Sequence, residues 1–159
     1  KSINPAIPDI RNFIYGLRPE AVDGTQVVAG IAALAEEIRH GGLVDVAARL
    51  DPDADPGLSP EAGAELLNLV REALSNAQRH GRAARIEVSL VGSARGIRLE
   101  VADDGVGFDP STDPGAGHHG LANMRARAAL IGSHLEIRSA PGEGTRVIIV
   151  LPTPSGATT

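Results

Sequence analysis

The sequence contains no cysteine and no tryptophan, and its aromatic residues are limited to one tyrosine and two phenylalanines. The absence of cysteine excludes disulfides, iron–sulfur clusters and thiolate zinc sites. With so few aromatic residues among 159, the core must be built from leucine, valine, isoleucine and alanine. This length is typical of one domain of ordinary size with an aliphatic core.

Basic residues are also fewer than acidic ones, since the chain has 15 lysines and arginines against 20 aspartates and glutamates. A net charge of −5 argues against a nucleic-acid partner, because nucleic acids bind to broad basic surfaces. The longest aliphatic run, residues 147–151, is far shorter than a membrane span, and no secretory signal opens the chain. We therefore expect a domain that contacts neither nucleic acid nor membrane.

The first part of the chain has the apolar spacing of two helices. The chain begins at Lys1, inside a helical pattern over residues 3–17 that Pro19 ends, and we interpret it as a fragment. Thr25 can cap a second helix that runs to about His40. The residues expected to face inward on this helix are Val28, Ile31, Ala32, Ala35 and Ile38.

Strand and helix patterns alternate in the rest of the chain. Ser59 and Pro60 predict the start of a helix that runs to about His80. The remaining patterns predict a helix over 121–131 and strands over 43–50, 85–91, 96–102, 134–139 and 145–151, with a hairpin turn over 92–95 and a glycine-rich loop over 103–119. This order predicts an α+β fold, a two-layer sandwich of a mixed, mainly antiparallel sheet with helices on one face.

A polar row lies on the predicted helix over residues 59–80. Glu72, Asn76 and His80 are four residues apart, so they share one edge of an apolar face. Carboxylate, amide and imidazole in line suit a magnesium–phosphate site, because magnesium takes few protein oxygens and completes its shell with water and phosphate. The alternative is an ordinary surface row. The apolar face comprises Leu66, Leu69, Val70, Ala73 and Ala77.

Two glycine-rich segments add candidate ligand-binding groups. In residues 103–108 the glycines allow close approach of a ligand to the backbone, and Asp103 can accept hydrogen bonds from an amino group. The alternative there is a tight polar turn. Residues 117–121 lead into a helix whose free amides favour phosphate. We do not expect His118 and His119 to form a metal pair, because adjacent side chains diverge and no third ligand is evident.

Together these segments resemble the nucleotide-binding boxes of the histidine kinase/gyrase/chaperone ATPase superfamily. Residues 72–80 resemble its N-box, 103–107 its first glycine box, 117–121 its second, and 140–145 its last glycine segment. The resemblance covers roughly residues 25–152. Residues 12–19, 58–61, 107–109 and 120–127 are similar to the histidine kinase subgroup whose regulators carry helix-turn-helix output domains. Gly81, where that subgroup usually has alanine, and Ala126, where glutamate is common, are departures.

The resemblance implies Mg²⁺ and ATP as ligands and a role for each matching residue. Asn76 supplies an oxygen to magnesium, and Glu72 lies near the metal and acts as the catalytic base or polarises the attacking imidazole. Asp103 accepts a hydrogen bond from the adenine amino group. The other residues expected to bind nucleotide or form its lid are Arg79, His80, Gly105, Gly107, Gly117, Gly120, Leu121 and Thr145.

The resemblance also implies domain boundaries and partners. Residues 1–24 are expected to be the end of the dimerisation and phosphoacceptor helices with a linker, residues 25–153 the ATP-binding catalytic domain, and residues 154–159 a tail. None of the five histidines matches the family's acceptor, which lies on a long helix and precedes an acidic residue. We therefore expect transfer to a histidine on the parent's own dimerisation domain, a homodimeric parent, and a response regulator downstream. The resemblance also implies that this chain is a cytoplasmic portion of the parent, which is either membrane-bound or soluble.

Two other functions fit parts of the sequence. An anti-sigma-factor-type serine kinase shares the fold and much of the N-box, but it leaves Leu17-Arg18-Pro19 unexplained. A nucleotide-binding module without transfer activity is the second alternative, and the presence of Glu72 and Asn76 counts against it. Gyrase-like and chaperone-like ATPases need much longer chains.

Overall fold

Three helices and five strands make up the part of the chain that the computed structural model describes, residues 26–54, 57–112 and 119–152. The helices are Val27–His40 (α1), Pro60–Arg79 (α2) and His119–Leu130 (α3). The strands are Asp45–Leu50 (β1), Arg85–Ser93 (β2), Gly96–Asp103 (β3), His134–Ser139 (β4) and Thr145–Pro152 (β5). The predicted helix over 3–17, the proposed cap Thr25, Gly117 of the second glycine box and the tail lie outside the described residues.

The strands form a single sheet in the order β1-β2-β3-β5-β4. Strand β1 is parallel to β2, and the other three neighbouring pairs are antiparallel. The α+β prediction of a mixed, mainly antiparallel sheet is therefore confirmed. The β2–β3 hairpin turns through Ala94 and Arg95 alone, a tighter turn than the predicted one over 92–95, because Ser93 and Gly96 already pair across the two strands.

Helix α2 forms as its sequence predicts. The Ser59 hydroxyl accepts a hydrogen bond from the Ala62 amide, 3.2 Å away, and Pro60 occupies the first turn, where its missing N–H costs nothing. The predicted apolar face packs into the core, and none of its five residues is more than 3% exposed. Burial of this face orients the neighbouring polar edge of α2 towards the end of the sheet that carries the site.

Helix α1 packs into the core with part of the predicted face, since Ile31 and Ala35 are buried and Val28 and Ile38 pack against the core. Its buried residues are Val27, Gly30, Ile31, Leu34 and Ala35, whereas Val28, Ala32 and Ile38 are only half-buried. A Cβ atom at Gly30 would lie 2.8 Å from a methyl carbon of Leu67 on α2. Close packing of the two helices at this glycine therefore rotates the buried stripe away from the purely apolar pattern.

Strand β1 begins later than predicted. The Asp45 amide donates to the Ala84 carbonyl, and the ladder with β2 starts at this residue. Leu43, predicted as the inward start of the strand, is 83% exposed in the turn that precedes it. The prediction of residues 43–50 as a strand is thus wrong for its first two residues, because alternation of side chains does not reveal where pairing begins.

Candidate functional site

A cavity of about 170 Å³ lies between the C-terminal half of α2, the start of α3 and the adjacent ends of β3 and β5. Most of its wall is apolar and comes from all four elements and from the loop after β3. Its apolar side chains are Ala73, Ala77, Val101, Val106, Phe108, Leu121 and Val147, and its polar ones are Asn76, His80, Asp103 and Thr145. An apolar slot with a few polar groups at its margin suits a flat ligand with polar edges.

Asp103 is the half-buried carboxylate of this cavity. Its Oδ1 atom accepts a hydrogen bond of 2.8 Å from the Gly105 amide, and it lies opposite Thr145 in the β3–β5 ladder. Burial raises the pKa of the Asp103 carboxyl above its ordinary value, while hydrogen bonds from the Gly105 and Thr145 backbone oppose the shift. A ligand that donates a hydrogen bond to this carboxylate would therefore stabilise its ionised form.

The glycines of the first box are needed because the chain passes other backbone closely. A Cβ atom at Gly105 would overlap the Gly81 carbonyl, and one at Gly107, whose φ is +63°, would overlap the Ala140 carbonyl. The Gly81 carbonyl also accepts from the Val106 amide at 2.8 Å. These contacts bring the loop after β3 against the end of α2 and so close one side of the cavity.

The loop after β3 is also joined to the turn between β4 and β5. The Gly142 amide donates to the Val106 carbonyl at 2.6 Å, and the Phe108 amide donates to the Ser139 hydroxyl at 2.9 Å. The same hydroxyl lies 2.9 Å from the Thr145 hydroxyl. The first and last glycine segments therefore form one hydrogen-bonded wall.

The polar row of α2 is divided between two spaces. Asn76 and His80 line the cavity, whereas Glu72 lines a neighbouring groove between α2 and α3. The Asn76 amide nitrogen lies 4.0 Å from the Met124 sulfur, a weak acceptor, and this contact leaves the amide oxygen available to a ligand. The Glu72 carboxylate lies beside Gly120, in the first turn of α3.

Of the ten residues predicted to bind nucleotide, six line the cavity: Asn76, His80, Asp103, Gly107, Leu121 and Thr145. Gly105 is buried behind the cavity against Gly81, and Arg79 is exposed at the end of α2 and does not line it. Gly120 faces Glu72, and Gly117 lies outside the described residues.

Sequence reasoning missed two contributors to the site. Gly81 lines the cavity through its backbone, although the resemblance marks it only as a departure from the usual alanine. The sequence offers a signal for Gly81, since a glycine just beyond the end of a helix can permit close backbone packing. Ser139 supports the wall by accepting from Phe108, and nothing in its sequence neighbourhood distinguishes it from any strand-end serine.

The described residues contain no group of three or more histidine, aspartate or glutamate side chains that could hold a metal ion by themselves. The chemistry of Asn76 and Glu72, one amide oxygen and one carboxylate on successive turns of α2, fits magnesium instead, because that ion keeps several waters and takes further oxygens from phosphates. Within the same described ranges, no helix is both long and apolar enough to cross a membrane.

Comparison with known proteins agrees with this geometry. The family model of histidine kinase-, DNA gyrase B- and HSP90-like ATPases matches residues 62–155, more than half of the chain. The sensor histidine kinase LiaS of Bacillus subtilis is 31% identical over 144 residues, which are 91% of this chain and 39% of LiaS. The chain therefore spans about two fifths of the length of that relative.

Solved structures of histidine kinases share the fold. The blue-light activated histidine kinase of Erythrobacter litoralis EL346 superposes with a TM-score of 0.67 at 26% identity, covering 84% of this chain and 43% of the kinase. The ATP binding domain of PrrB from Mycobacterium tuberculosis gives a TM-score of 0.61 at 27% identity, covering 84% of this chain and 96% of that domain. The chain belongs to the family of histidine kinase-, DNA gyrase B- and HSP90-like ATPases, as an ATP-binding domain of the sensor histidine kinase type.

Proposed function

We propose that this chain binds Mg-ATP in the cavity and transfers the γ-phosphoryl group to a histidine on a separate dimerisation helix, in two-component signal transduction. The observation that carries the proposal is the convergence of Asp103, Asn76 and Thr145 on one apolar cavity although they come from β3, α2 and β5. Three of the four sequence boxes thus supply polar groups to a single ligand-sized space.

The cavity suits adenine at its Asp103 end. The apolar walls cover the faces of a flat base, and the Asp103 carboxylate accepts a hydrogen bond from the exocyclic amino group. Guanine has a carbonyl oxygen at the corresponding position, and a carboxylate repels it. Asp103 therefore selects adenine over guanine in this proposal.

The phosphates extend from this end towards the C-terminal half of α2 and the start of α3. Asn76 would hold magnesium there through its amide oxygen, Glu72 would lie near the metal one turn earlier in α2, and His80 lines the same cavity. Neutralisation of phosphate charge is what the metal supplies when bound. The α3 N-terminus favours the remaining negative charge through its free amides and helix dipole.

Glu72 accepts a proton in the transfer step. The acceptor imidazole nitrogen forms a bond to the γ-phosphorus while the bond from that phosphorus to the β,γ-bridging oxygen breaks, and ADP leaves with the electron pair. The imidazole must lose a proton, and the Glu72 carboxylate accepts it. Because Glu72 faces the groove between α2 and α3, the acceptor approaches from that side.

The proposal also includes domain boundaries and partners. Residues 25–153 form the ATP-binding domain, residues 1–24 end the dimerisation helices, and residues 154–159 form a tail. The partners are the parent's own phosphoacceptor domain, in a homodimer, and a response regulator. The helix-turn-helix subgroup and the cytoplasmic location stay predictions, as does the absence of nucleic-acid and membrane contacts. The resemblance to LiaS, whose name is that of a sensor histidine kinase, favours a histidine acceptor over an anti-sigma-factor serine kinase.

Replacement of Glu72 tests the proposal. With a dimeric helical domain that carries the parent's acceptor histidine added in trans, Glu72→Ala should lower the transfer rate by about 100-fold or more, the range of general base catalysis. Its ATP affinity, measured by calorimetry, should change little, and chelation of magnesium should stop transfer by the wild type. Equal transfer by wild type and variant would contradict the assigned role.

A further inference from the structure

Gly120 is a glycine that the backbone does not require. It lies in the first turn of α3, and it is not among the residues whose φ is positive. A Cβ atom at this position would lie 2.8 Å from the Glu72 Oε1 atom and 3.9 Å from the Asn76 amide nitrogen. The space that a side chain would fill is therefore occupied by the carboxylate of α2.

The next turn of α3 faces the same row of α2. Met124, four residues after Gly120, is fully buried, and its sulfur contacts the Asn76 amide nitrogen. Residues spaced by four on α3 thus face Glu72 and Asn76, which are spaced by four on α2. Close approach of α3 at Gly120 leaves room for the Glu72 carboxylate on this side of α2.

We infer that Gly120 is a positioning residue for Glu72. The missing side chain leaves room for the carboxylate against the first turn of α3, at the border between the cavity and the groove between α2 and α3. The positive end of the helix dipole stabilises the carboxylate in this place. The inference rests on the proposed function, in which Glu72 accepts the proton from the acceptor imidazole.

Alanine at position 120 displaces the carboxylate and leaves the fold intact. The atom that its Cβ would meet most closely is the end of a flexible side chain, which can rotate away, and no backbone atom lies within 4 Å among the three nearest neighbours. Alanine is also the better helix former. We therefore expect Gly120→Ala to keep or raise the melting temperature while it lowers transfer, which a purely structural role of Gly120 does not predict.

The test measures transfer to the helical domain in trans for the wild type, Gly120→Ala, Glu72→Ala and the double variant. At saturating ATP and acceptor, Gly120→Ala should lower the rate by about tenfold to 100-fold, as misplacement of a catalytic group by about 1 Å does. Its ATP affinity, measured by calorimetry, should stay within about threefold of the wild type, because the main-chain amide of residue 120 is kept. In the Glu72→Ala background the alanine should cost nothing further.

Three results would overturn the inference without overturning the proposed function. Wild-type rates in Gly120→Ala show that Glu72 needs no such room. An equal loss in the Glu72→Ala background shows that Gly120 acts on the nucleotide or the lid and not through Glu72. A fall in melting temperature that accompanies the loss of transfer shows a structural role. Failure of the wild type to transfer at all overturns the proposed function together with this inference, so the two failures are distinguishable.

Discussion

At the scale of single residues, Asp103 combines a stability cost with a binding role. Its carboxyl is half-buried beneath the loop after β3, and burial raises its pKa in the folded protein. In the proposed complex, the ionised form accepts a hydrogen bond from the adenine amino group. The apo domain therefore carries a charge that destabilises it and that the nucleotide compensates.

The sign of the effect on stability follows from linkage. Because the pKa of Asp103 is higher in the folded than in the unfolded chain, its favourable contribution is complete below the ordinary aspartate pKa and is lost as pH rises through the raised pKa. We expect Asp103→Asn to increase the free energy of unfolding of the apo protein at pH 7. Urea titrations over a pH series should show this difference shrinking as pH falls from the raised pKa of Asp103 towards the ordinary aspartate pKa, below which it stays constant.

The same substitution should weaken ATP binding. An amide orients only one acceptor and adds a donor where the ligand also donates, and a charged hydrogen bond is typically worth about 1.5–3 kcal/mol, or about tenfold to 100-fold in affinity. Calorimetry of the wild type and Asp103→Asn checks the loss. A variant that is less stable than the wild type at pH 7, or that binds ATP equally well, would contradict this account of Asp103.

Gly81 gives a second prediction at this scale. A Cβ atom there would lie 2.8 Å from the Ala77 carbonyl oxygen and 3.3 Å from its Cα, both rigid backbone of α2. We expect Gly81→Ala to lower the free energy of unfolding by about 1–3 kcal/mol, the usual cost of overpacking. Gly41, which follows α1 and whose Cβ would meet only the Ile38 carbonyl at 3.2 Å, is a matched control that should lose less as alanine. Equal losses in the two variants would argue against a special constraint at Gly81.

At the scale of elements, the sequence predicts the helices and strands well because most have one clear period and one clear boundary. Helix α2 has a serine cap, a proline in its first turn and an uninterrupted apolar stripe, and all three signals are local. The face of α1 could be predicted only in part, since the burial of Gly30 depends on its contact with Leu67 on another helix. The start of β1 depends similarly on the pairing of Asp45 with the β2 segment.

The residues of the candidate site likewise fall into those that the sequence predicts and those that only the structure reveals. Asp103, Asn76 and the glycines could be identified because their order along the chain resembles a known set of boxes. The separation of Glu72 from the cavity and the support of Phe108 by Ser139 could not, because both are contacts between residues that are distant in sequence. Spacing along α2 places Glu72 and Asn76 on one edge but does not reveal that α3 lies across that edge.

The packing of α2 against the sheet can be tested by substitution of a buried and an exposed leucine. Leu69 is fully buried, so Leu69→Ala should lower the free energy of unfolding by about 2–5 kcal/mol through lost burial and a cavity. Leu130, at the end of α3, is 78% exposed, and Leu130→Ala should change it by less than about 0.5 kcal/mol. Thermal or urea unfolding distinguishes the two. Similar effects from both variants would mean that α2 does not form the centre of the core.

At the scale of the whole molecule, the two faces of the sheet have different roles. The helices cover one face and build the cavity at its end, whereas the other face carries exposed ion pairs, including Arg98 and Arg146 with Glu100 and Arg138 with Glu136. Such exposed pairs contribute little to stability. The domain therefore depends on its aliphatic core for folding, and the proposed chemistry lies at the α2–α3 end.

At this scale we propose that the chain transfers the γ-phosphoryl group of ATP to a histidine outside itself. The most direct measurement incubates it with γ-labelled ATP and magnesium, alone and with a dimeric helical domain carrying the parent's acceptor histidine, and then separates the chains and treats each with acid and base. The account predicts no label on this chain's five histidines and an acid-labile, base-stable label on the helical domain, because the bond formed joins phosphorus to nitrogen. Label on this chain, or label that is stable in acid and lost in base, would contradict it.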